Sequence, residues 1–340
     1  MNGQEPNVAG SSARRRRGQR RMGEQIPGLH HVTAIAGDPQ HNLDFYTGVL
    51  GLRLIKLTVN FDDPGTYHLY FGDETGRPGT LLSFFPWPGA HRGRRGTGQT
   101  TTVSLSVPAA SLGYWTERFK RHGVATERVR TRLSEEVLPF TDPDGLHLEL
   151  VSHFGDPACQ PRNGGPIPPE VAIRGFFGVT LSEEGFERTA ALLTEILGFR
   201  PVGEENNRFR FSSAAGAPGT LVDVVCVPDT TRGKVAVGTV HHVAWRTPSQ
   251  EAQAGLRDRL AAEGFNVTPV MDRRYFRSIY FREPGGVLFE IATDSPGFTV
   301  DEDAGQLGSR LMLPPWLDPV RSRVEYALPP LRLPQPAHAR

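Results

Sequence analysis

The sequence predicts an α+β protein of four βαβββ units arranged in two domains. Three observations predict it. From Leu29 onward, short strand-like runs alternate with single helix-like stretches, each closed by glycine. Landmarks recur at fixed distances: Val32-Thr33 and Leu50-Gly51 reappear 147 residues later as Val179-Thr180 and Leu197-Gly198, while Gly123 and Glu149 reappear 141 residues later as Gly264 and Glu290. A constant offset over two landmarks in each pair marks an internal duplication. The doublet His30-His31 also has a near copy, His241-His242, at the start of the fourth unit.

In unit one, residues 31–35 read as a strand and 39–50 as a helix, with Leu43, Tyr46 and Leu50 on one face and Gly51 as the stop. Strands at 52–57, 66–71 and 80–85 follow, separated by turn-forming residues. Unit two carries a strand at 101–107, a helix at 110–122 and a last strand at 146–151. A Pro/Gly-rich stretch, 156–169, marks the middle of the chain. Units three and four start at Gly175 and Gly238, with helices at 184–197 and 250–263. The resulting division is a basic tail 1–25, an N-terminal domain 26–155 (units one and two), a linker 156–172, a C-terminal domain 173–298 (units three and four) and an arm 299–340. The tail, rich in Arg, Gly, Ser and Gln, lacks apolar surface to bury and reads as disordered. The Pro-punctuated arm reads as a short helix and an extended segment packed on the body.

Composition excludes several functions. With 38% hydrophobic and 22% charged residues the chain reads as soluble and globular. Net charge is +1, but residues 1–21 hold six Arg and one Glu, leaving 32 basic against 36 acidic residues in the remainder. A body at −4 is not a nucleic-acid surface. No apolar stretch follows the basic head as an export signal requires, and no run is long enough to span a membrane. Cys159 and Cys226 do not sit at metal-type spacing, and a reducing cytoplasm fits them. Homo-oligomerisation is left open.

Two histidines and one carboxylate form half of a divalent metal's coordination shell and leave positions for substrate and dioxygen. Glu290 is the carboxylate: it lies in the apolar run Val287-Leu288-Phe289-Glu290-Ile291-Ala292, where an unpaired charge costs several kcal/mol to bury. The two doublets supply the histidines. Alternation along a strand points His30 and His31 to opposite faces, and His241 and His242 likewise. The residues alone leave open which member of each pair reaches a metal. At the duplication offsets His31 corresponds to Gly178, His242 to Thr101 and Glu290 to Glu149. One complete set and one depleted set are therefore expected. His68 and His147 read as ordinary strand residues, and Arg277 and Arg282 as solvent-facing.

The stretches Leu29-His30-His31-Val32-Thr33, Phe45-Tyr46-Thr47-Gly48-Val49-Leu50-Gly51, Tyr67-His68-Leu69-Tyr70-Phe71, His241-His242-Val243-Ala244-Trp245, the run 277–294 and Leu313-Pro314-Pro315-Trp316-Leu317 resemble the vicinal oxygen chelate superfamily. More narrowly, they resemble its two-domain ring-cleaving dioxygenases of para-hydroquinones. The resemblance covers residues 26–332. It implies a glyoxalase-like fold and an Fe(II) site, with Mn(II) as the alternative ion, on His31, His242 and Glu290. It also implies His30, Thr33, His241, Arg273 and Tyr280 beside the metal, with the adjacent Arg274 competing for the arginine position. The implied partners are a small aromatic diol and O2, with O2 inserted beside a hydroxyl-bearing ring carbon. A glyoxalase-like isomerase and a non-catalytic resistance-type binder are the competing activities on such a fold. Ser83 or Phe84 stands where an isomerase would place a second glutamate.

Overall fold

A computed structural model describes residues 26–154, 161–214 and 216–334. The expected basic tail, part of the linker and the last residues of the arm lie outside the described residues.

Unit one runs β1 (Leu29–Ala36), α1 (Pro39–Asp44), β2 (Arg53–Asn60), β3 (Asp63–Gly72) and β4 (Leu81–Pro86). Unit two is β5 (Gln99–Pro108), α2 (Leu112–Arg121), β6 (Arg130–Arg132), β7 (Glu135–Thr141) and β8 (His147–His153). Unit three is β9 (Phe176–Glu183), α3 (Glu187–Ala191), β10 (Arg200–Glu205), β11 (Arg208–Ser212) and β12 (Leu221–Cys226). Unit four is β13 (Thr239–Thr247), α4 (Gln250–Ala262), β14 (Met271–Asp272), β15 (Arg277–Arg282) and β16 (Leu288–Thr293). A short α5 (Arg321–Ala327) lies in the arm. No described helix is long and apolar enough to cross a membrane.

The helices form where caps and apolar faces coincide. Asp38 accepts from the amide of His41 at 2.8 Å and Pro39 opens α1, while Ser249 caps α4 through the amide of Ala252. Leu43, Tyr46 and Leu50 are buried as their spacing predicts. The helix expected over 39–50 is not uniform: after Asp44 it widens into one π turn, Phe45–Val49, before Gly51 takes φ +73° and ends it. The same π turn follows α3 at Leu192–Ile196, 147 residues on, so the duplication extends to backbone irregularities.

The strands form two eight-stranded sheets, ordered β14-β15-β16-β13-β1-β4-β3-β2 and β10-β11-β12-β9-β5-β8-β7-β6. The sheets are not the two halves of the chain. Units one and four share the first, and units two and three share the second, because β1 pairs antiparallel with β13 and β5 with β9. The expected halves 26–155 and 173–298 therefore each contribute one unit to each sheet. Both sheets curl. In the first, β2 and β14 lie at opposite ends, yet the turn after β2 and the turn after β14 meet through Asp62 and Arg273. The arm runs along β2: Leu57 pairs with Leu311, the amide of Met312 donates to the Leu57 carbonyl, and the buried Lys56 ammonium meets Asp301 and Glu302.

The two sheets are joined by a buried carboxyl pair. Glu183 ends β9 in one sheet, and Glu283 sits in the turn between β15 and β16 of the other. The Thr189 hydroxyl lies 2.7 Å from both carboxyl groups. One hydroxyl has one proton, so a carboxyl group must donate on one side. Glu283 already accepts the amides of Gly285 and Val287, which leaves Glu183 as the protonated partner. Burial, then the neighbouring Glu283, push its pKa up to about 8. Because that value is above the unfolded one, unfolding releases a proton and stability falls as pH rises from about 4.5 to about 8. Glu183→Gln keeps both hydrogen bonds and removes the titration. Its Tm should exceed that of the parent by ~3 °C or more at pH 8.5 and by less at pH 5. A difference constant over that range, measured by circular dichroism melts, would reject the shared proton.

Candidate metal centre

The centre is built from register. On the first sheet His31 of β1 lies opposite Ala244 of β13, and Ala244 lies opposite Glu290 of β16. Residues in line across strands share a face, so His31 and Glu290 point the same way across one methyl group. His242, two residues before Ala244, joins that face by strand alternation. The small Ala244 leaves room above it for the three longer side chains to converge. Nε2 of His31 and Nε2 of His242 are 3.2 Å apart, and Oε2 of Glu290 is 3.3 Å and 3.0 Å from them. These are the described residues that cluster as metal ligands.

The donor set fits a metal ion. Bonds of about 2.1 Å at right angles place neighbouring ligand atoms about 3 Å apart, as found here. Oε2 of Glu290 is buried and faces both imidazoles without an aligned hydrogen bond, while Oε1 accepts from the Ser278 hydroxyl. Burial alone would raise the Glu290 pKa, but the imidazoles of His31 and His242 outweigh it and hold the carboxyl well below its usual range. An ionised, orphaned oxygen beside two ring nitrogens is what a cation would satisfy. The other member of each doublet braces the ligand: Nδ1 of His30 is 2.9 Å from Nδ1 of His31, and Nδ1 of His241 is 2.8 Å from Nδ1 of His242.

A cavity of about 330 Å³ opens on the ligand face. Of the expected neighbours, His241, Arg273 and Tyr280 line it, whereas His30 and Thr33 lie behind the lining. Thr33 is fully buried and shares a hydrogen bond of 2.8 Å with Ser83. The choice between Arg273 and Arg274 is made by a tight turn: Arg274 adopts φ +68°, which sends its side chain towards Asp301 and Arg273 into the cavity. Arg273 Nε donates to Tyr280 Oη at 3.3 Å, and its two Nη atoms bond the Asp62 carboxylate. Burial opposes the Arg273 charge, but the Tyr280 phenol and Asp62 outweigh it and raise its pKa. Burial lowers His30, His68 and His242 and takes His241 down to about 3.

The loops 60–67 and 86–97 are expected from the sequence to shape a pocket, but the individual residues of the wall are not. Phe61, Asp62, Phe85, Trp87, Phe276 and Leu288 line the cavity, as do Tyr70 and His68. His68 is therefore more than an ordinary strand residue: Nε2 meets Ser83 Oγ at 3.1 Å and Nδ1 meets Tyr70 Oη at 3.0 Å. The period-two pattern of β3 could have flagged His68 and Tyr70 as one face. Arg277 and Arg282 face solvent as expected.

The second sheet repeats the register line without the ligands. Gly178 lies opposite Ser104, and Ser104 opposite Glu149. Thr102 pairs with Thr180 as His242 pairs with Thr33, so Thr102, rather than Thr101, occupies the place of His242. The offset on this strand is 140; the one-residue error arose from carrying the 141 of Glu149 and Gly123 across the longer connection of unit four. Glu149 is buried, and the Arg132 guanidinium grips it at 2.7 Å and 3.0 Å. Arg132 is the counterpart of Arg273 at the offset of 141. In one sheet this arginine reaches out to Asp62; in the other it turns in and supplies the cation that the carboxylate needs.

Comparison with known proteins agrees with this geometry. The family model of the Glyoxalase/Bleomycin resistance protein/Dioxygenase superfamily matches residues 28–150 and 179–291. The chain is 47% identical over 312 residues, 92% of its length and 99% of the relative's, to the Bacillus subtilis (strain 168) protein named "Putative ring-cleaving dioxygenase MhqO". It is 36% identical over 309 residues, 88% of its length and 95% of the relative's, to a chlorohydroquinone/hydroquinone 1,2-dioxygenase of Sphingobium indicum. The crystal structure of a "putative dioxygenase" from Bacillus subtilis subsp. subtilis str. 168 matches with a TM-score of 0.87 at 46% identity, covering 92% of this chain and 99% of that one. The chain thus belongs to the Glyoxalase/Bleomycin resistance protein/Dioxygenase superfamily, and within it to the ring-cleaving dioxygenases, which are oxidoreductases.

Proposed function

We propose that this enzyme is Fe(II)-dependent and cleaves the ring of hydroquinone-like diols in the extradiol manner, inserting O2 beside a hydroxyl-bearing carbon. One observation carries the reading: three ligand atoms on His31, His242 and Glu290 converge at one end of a cavity walled by aromatic side chains. The names of the relatives MhqO and the Sphingobium indicum hydroquinone dioxygenase support it. A redox-active ion on these ligands supplies the one-electron chemistry that lets triplet dioxygen react with a closed-shell ring, which favours Fe(II), with Mn(II) second, over Zn(II).

The chain's own residues do the rest. Phe61, Phe85, Trp87 and Phe276 sandwich a ring and keep water from it. Nδ1 of His241 is engaged by His242, so its Nε2 is the atom left to accept a hydrogen bond from the substrate hydroxyl. His241, which lines the cavity, is better placed for this than His30, which does not. Tyr280 Oη donates to the phenolate oxygen. Arg273, fixed over the Tyr280 ring with Cζ 5.5 Å from its centroid, donates through Nε to Tyr280 Oη and so strengthens that hydroxyl as a donor to the substrate. An isomerase using a second carboxylate is disfavoured, because Ser83 spends its hydroxyl on Thr33 and His68.

Two measurements test the assignment. Metal analysis of reconstituted protein should give one iron per chain. Glu290→Ala should lose it, whereas Glu149→Gln should keep it and lower Tm by breaking a buried ion pair. Two irons per chain, or iron retained without Glu290, would sink the assignment of ligands. Oxygen uptake with methylhydroquinone, chlorohydroquinone and catechol should show one O2 consumed per hydroquinone opened. His241→Asn should reduce kcat by about 10²-fold or more with the iron still bound. Turnover of catechol alone would move the substrate class, and no uptake with any diol would reject ring cleavage.

A further inference from the structure

Outside the ligand triad, the cavity has two formally charged described side chains in its lining, Arg273 and Asp62, and they are bonded to each other. Nη1 of Arg273 meets Oδ1 of Asp62 at 3.2 Å and Nη2 meets Oδ2 at 2.9 Å. The remaining nitrogen, Nε, is spent on Tyr280. All three guanidinium nitrogens are therefore engaged. This two-toothed grip is the one a guanidinium offers to any carboxylate. Asp62 thus sits where a carboxylated substrate would place its anionic group. Outside the triad the other lining side chains bring no fixed charge to such a group: Phe61, Phe85, Trp87, Phe276 and Leu288 are largely apolar, and Asn60, Tyr70 and Tyr280 are polar without a full charge.

The position of Asp62 suits an occupant of this kind. It lies in the turn between β2 and β3, where its amide donates to the Asn60 side chain at 3.1 Å. Its side chain is 62% exposed, whereas that of Arg273 is 17% exposed. The pair closes the open edge of the curled sheet with its anionic half outward and its cationic half inward.

We propose that Asp62 is a specificity-determining residue. It fills the carboxylate-binding fork of Arg273 and confines the enzyme to hydroquinones whose ring substituents carry no negative charge. Alkyl and halogen substituents fit such a wall, and a ring carboxylate must displace Asp62 and leave it facing a second anion. The inference rests on the ring-cleavage reading for its substrates, and its test separates the two.

The test compares methylhydroquinone with 2,5-dihydroxybenzoate on the iron-loaded parent, Asp62→Asn and Asp62→Glu proteins. The parent should strongly prefer methylhydroquinone. Asp62→Asn should shift the ratio of kcat/KM towards 2,5-dihydroxybenzoate by about tenfold or more, the weight of one charge-assisted pair. The gain should shrink as salt is raised. Asp62→Glu, which keeps the charge, should hold the parental ratio. Anaerobic calorimetry of the same pairs should show 2,5-dihydroxybenzoate bound at least tenfold more tightly by Asp62→Asn than by the parent. An unchanged ratio, an equal change in the Glu variant, or no tightening of binding overturns the assignment. Failure of the parent to open either ring rejects ring cleavage instead, and the binding arm still decides the role of Asp62.

Discussion

A buried carboxylate in the middle of a sheet has to be neutralised, and the architecture of this chain follows from how that is done twice. Glu290 and Glu149 occupy equivalent points, each in register with a small residue, Ala244 or Ser104, and then with a residue on the central strand of another unit. Neither is more than marginally exposed. An isolated carboxylate in such a place costs several kcal/mol. In the first sheet His31 and His242 stand around Glu290 with ligand atoms about one coordination edge apart. In the second, Gly178 and Thr102 leave the space empty of ligands, and Arg132 fills it with a guanidinium. The two solutions exclude each other sterically, since the guanidinium lies on the carboxylate oxygen that the imidazoles would face.

That exclusion explains why the central pairing must cross the halves of the chain. A ligand set drawn from units one and two would combine His31 with Glu149 and lack the second histidine. Pairing β1 with β13 instead brings together the doublets of the first and fourth units and lays Glu290 beside them. The remaining units pack as a counterweight whose interior is self-neutralised: Arg208 and Arg210 hold Asp223, Arg210 also holds Glu135, and Arg132 holds Glu149. Asp223 pairs with Thr180 as Ser83 pairs with Thr33. At the positions equivalent to the ligand face, the second sheet therefore has the carboxylates Asp223 and Glu149 in place of Ser83 and Glu290, lacks both histidines, and holds each carboxylate with arginine.

The unit order, the helices and the convergence of two histidine doublets with Glu290 were legible because each leaves a periodic or repeated trace: helix faces at 43, 46 and 50, glycine stops, and doublets at matching points. Which member of each doublet faces Glu290 was not legible. Alternation separates neighbours but cannot say which face is inward; that depends on the register of three strands and on the bulges in β1 beside Leu29 and Thr33. The choice of Arg273 over Arg274 turns on one left-handed residue, and nothing in Asp272-Arg273-Arg274-Tyr275 announces it. The wall of the cavity was opaque for a different reason. Asp62 and Arg273 are 211 residues apart and lie in turns that follow strands at opposite ends of the sheet order. Only the curl of the sheet brings them together, and curl is a property of the whole sheet rather than of any segment.

The curl leaves a seam between β2 and β14, and the arm is what backs it. Lys56, a fully buried ammonium on β2, is held by Asp301 and Glu302 and by the carbonyl of Phe298. Further along, Leu311 and Met312 bond β2 at Leu57, and Tyr67 donates to the carbonyl of Pro329 at 2.8 Å. Trp316 meets Phe61 edge-on, with centroids 5.5 Å apart. Phe61 lines the cavity and neighbours Asp62, so that part of the cavity wall is supported from outside by residues of the arm. A buried lysine without its carboxylates would carry an uncompensated charge, which ties the order of the arm to the order of β2 and its turn. The cavity is thus framed on one side by the duplicated sheet and on the other by a segment outside the four repeated units. The register of β1, β13 and β16 positions the ligands, and the arm positions the turn that meets Arg273.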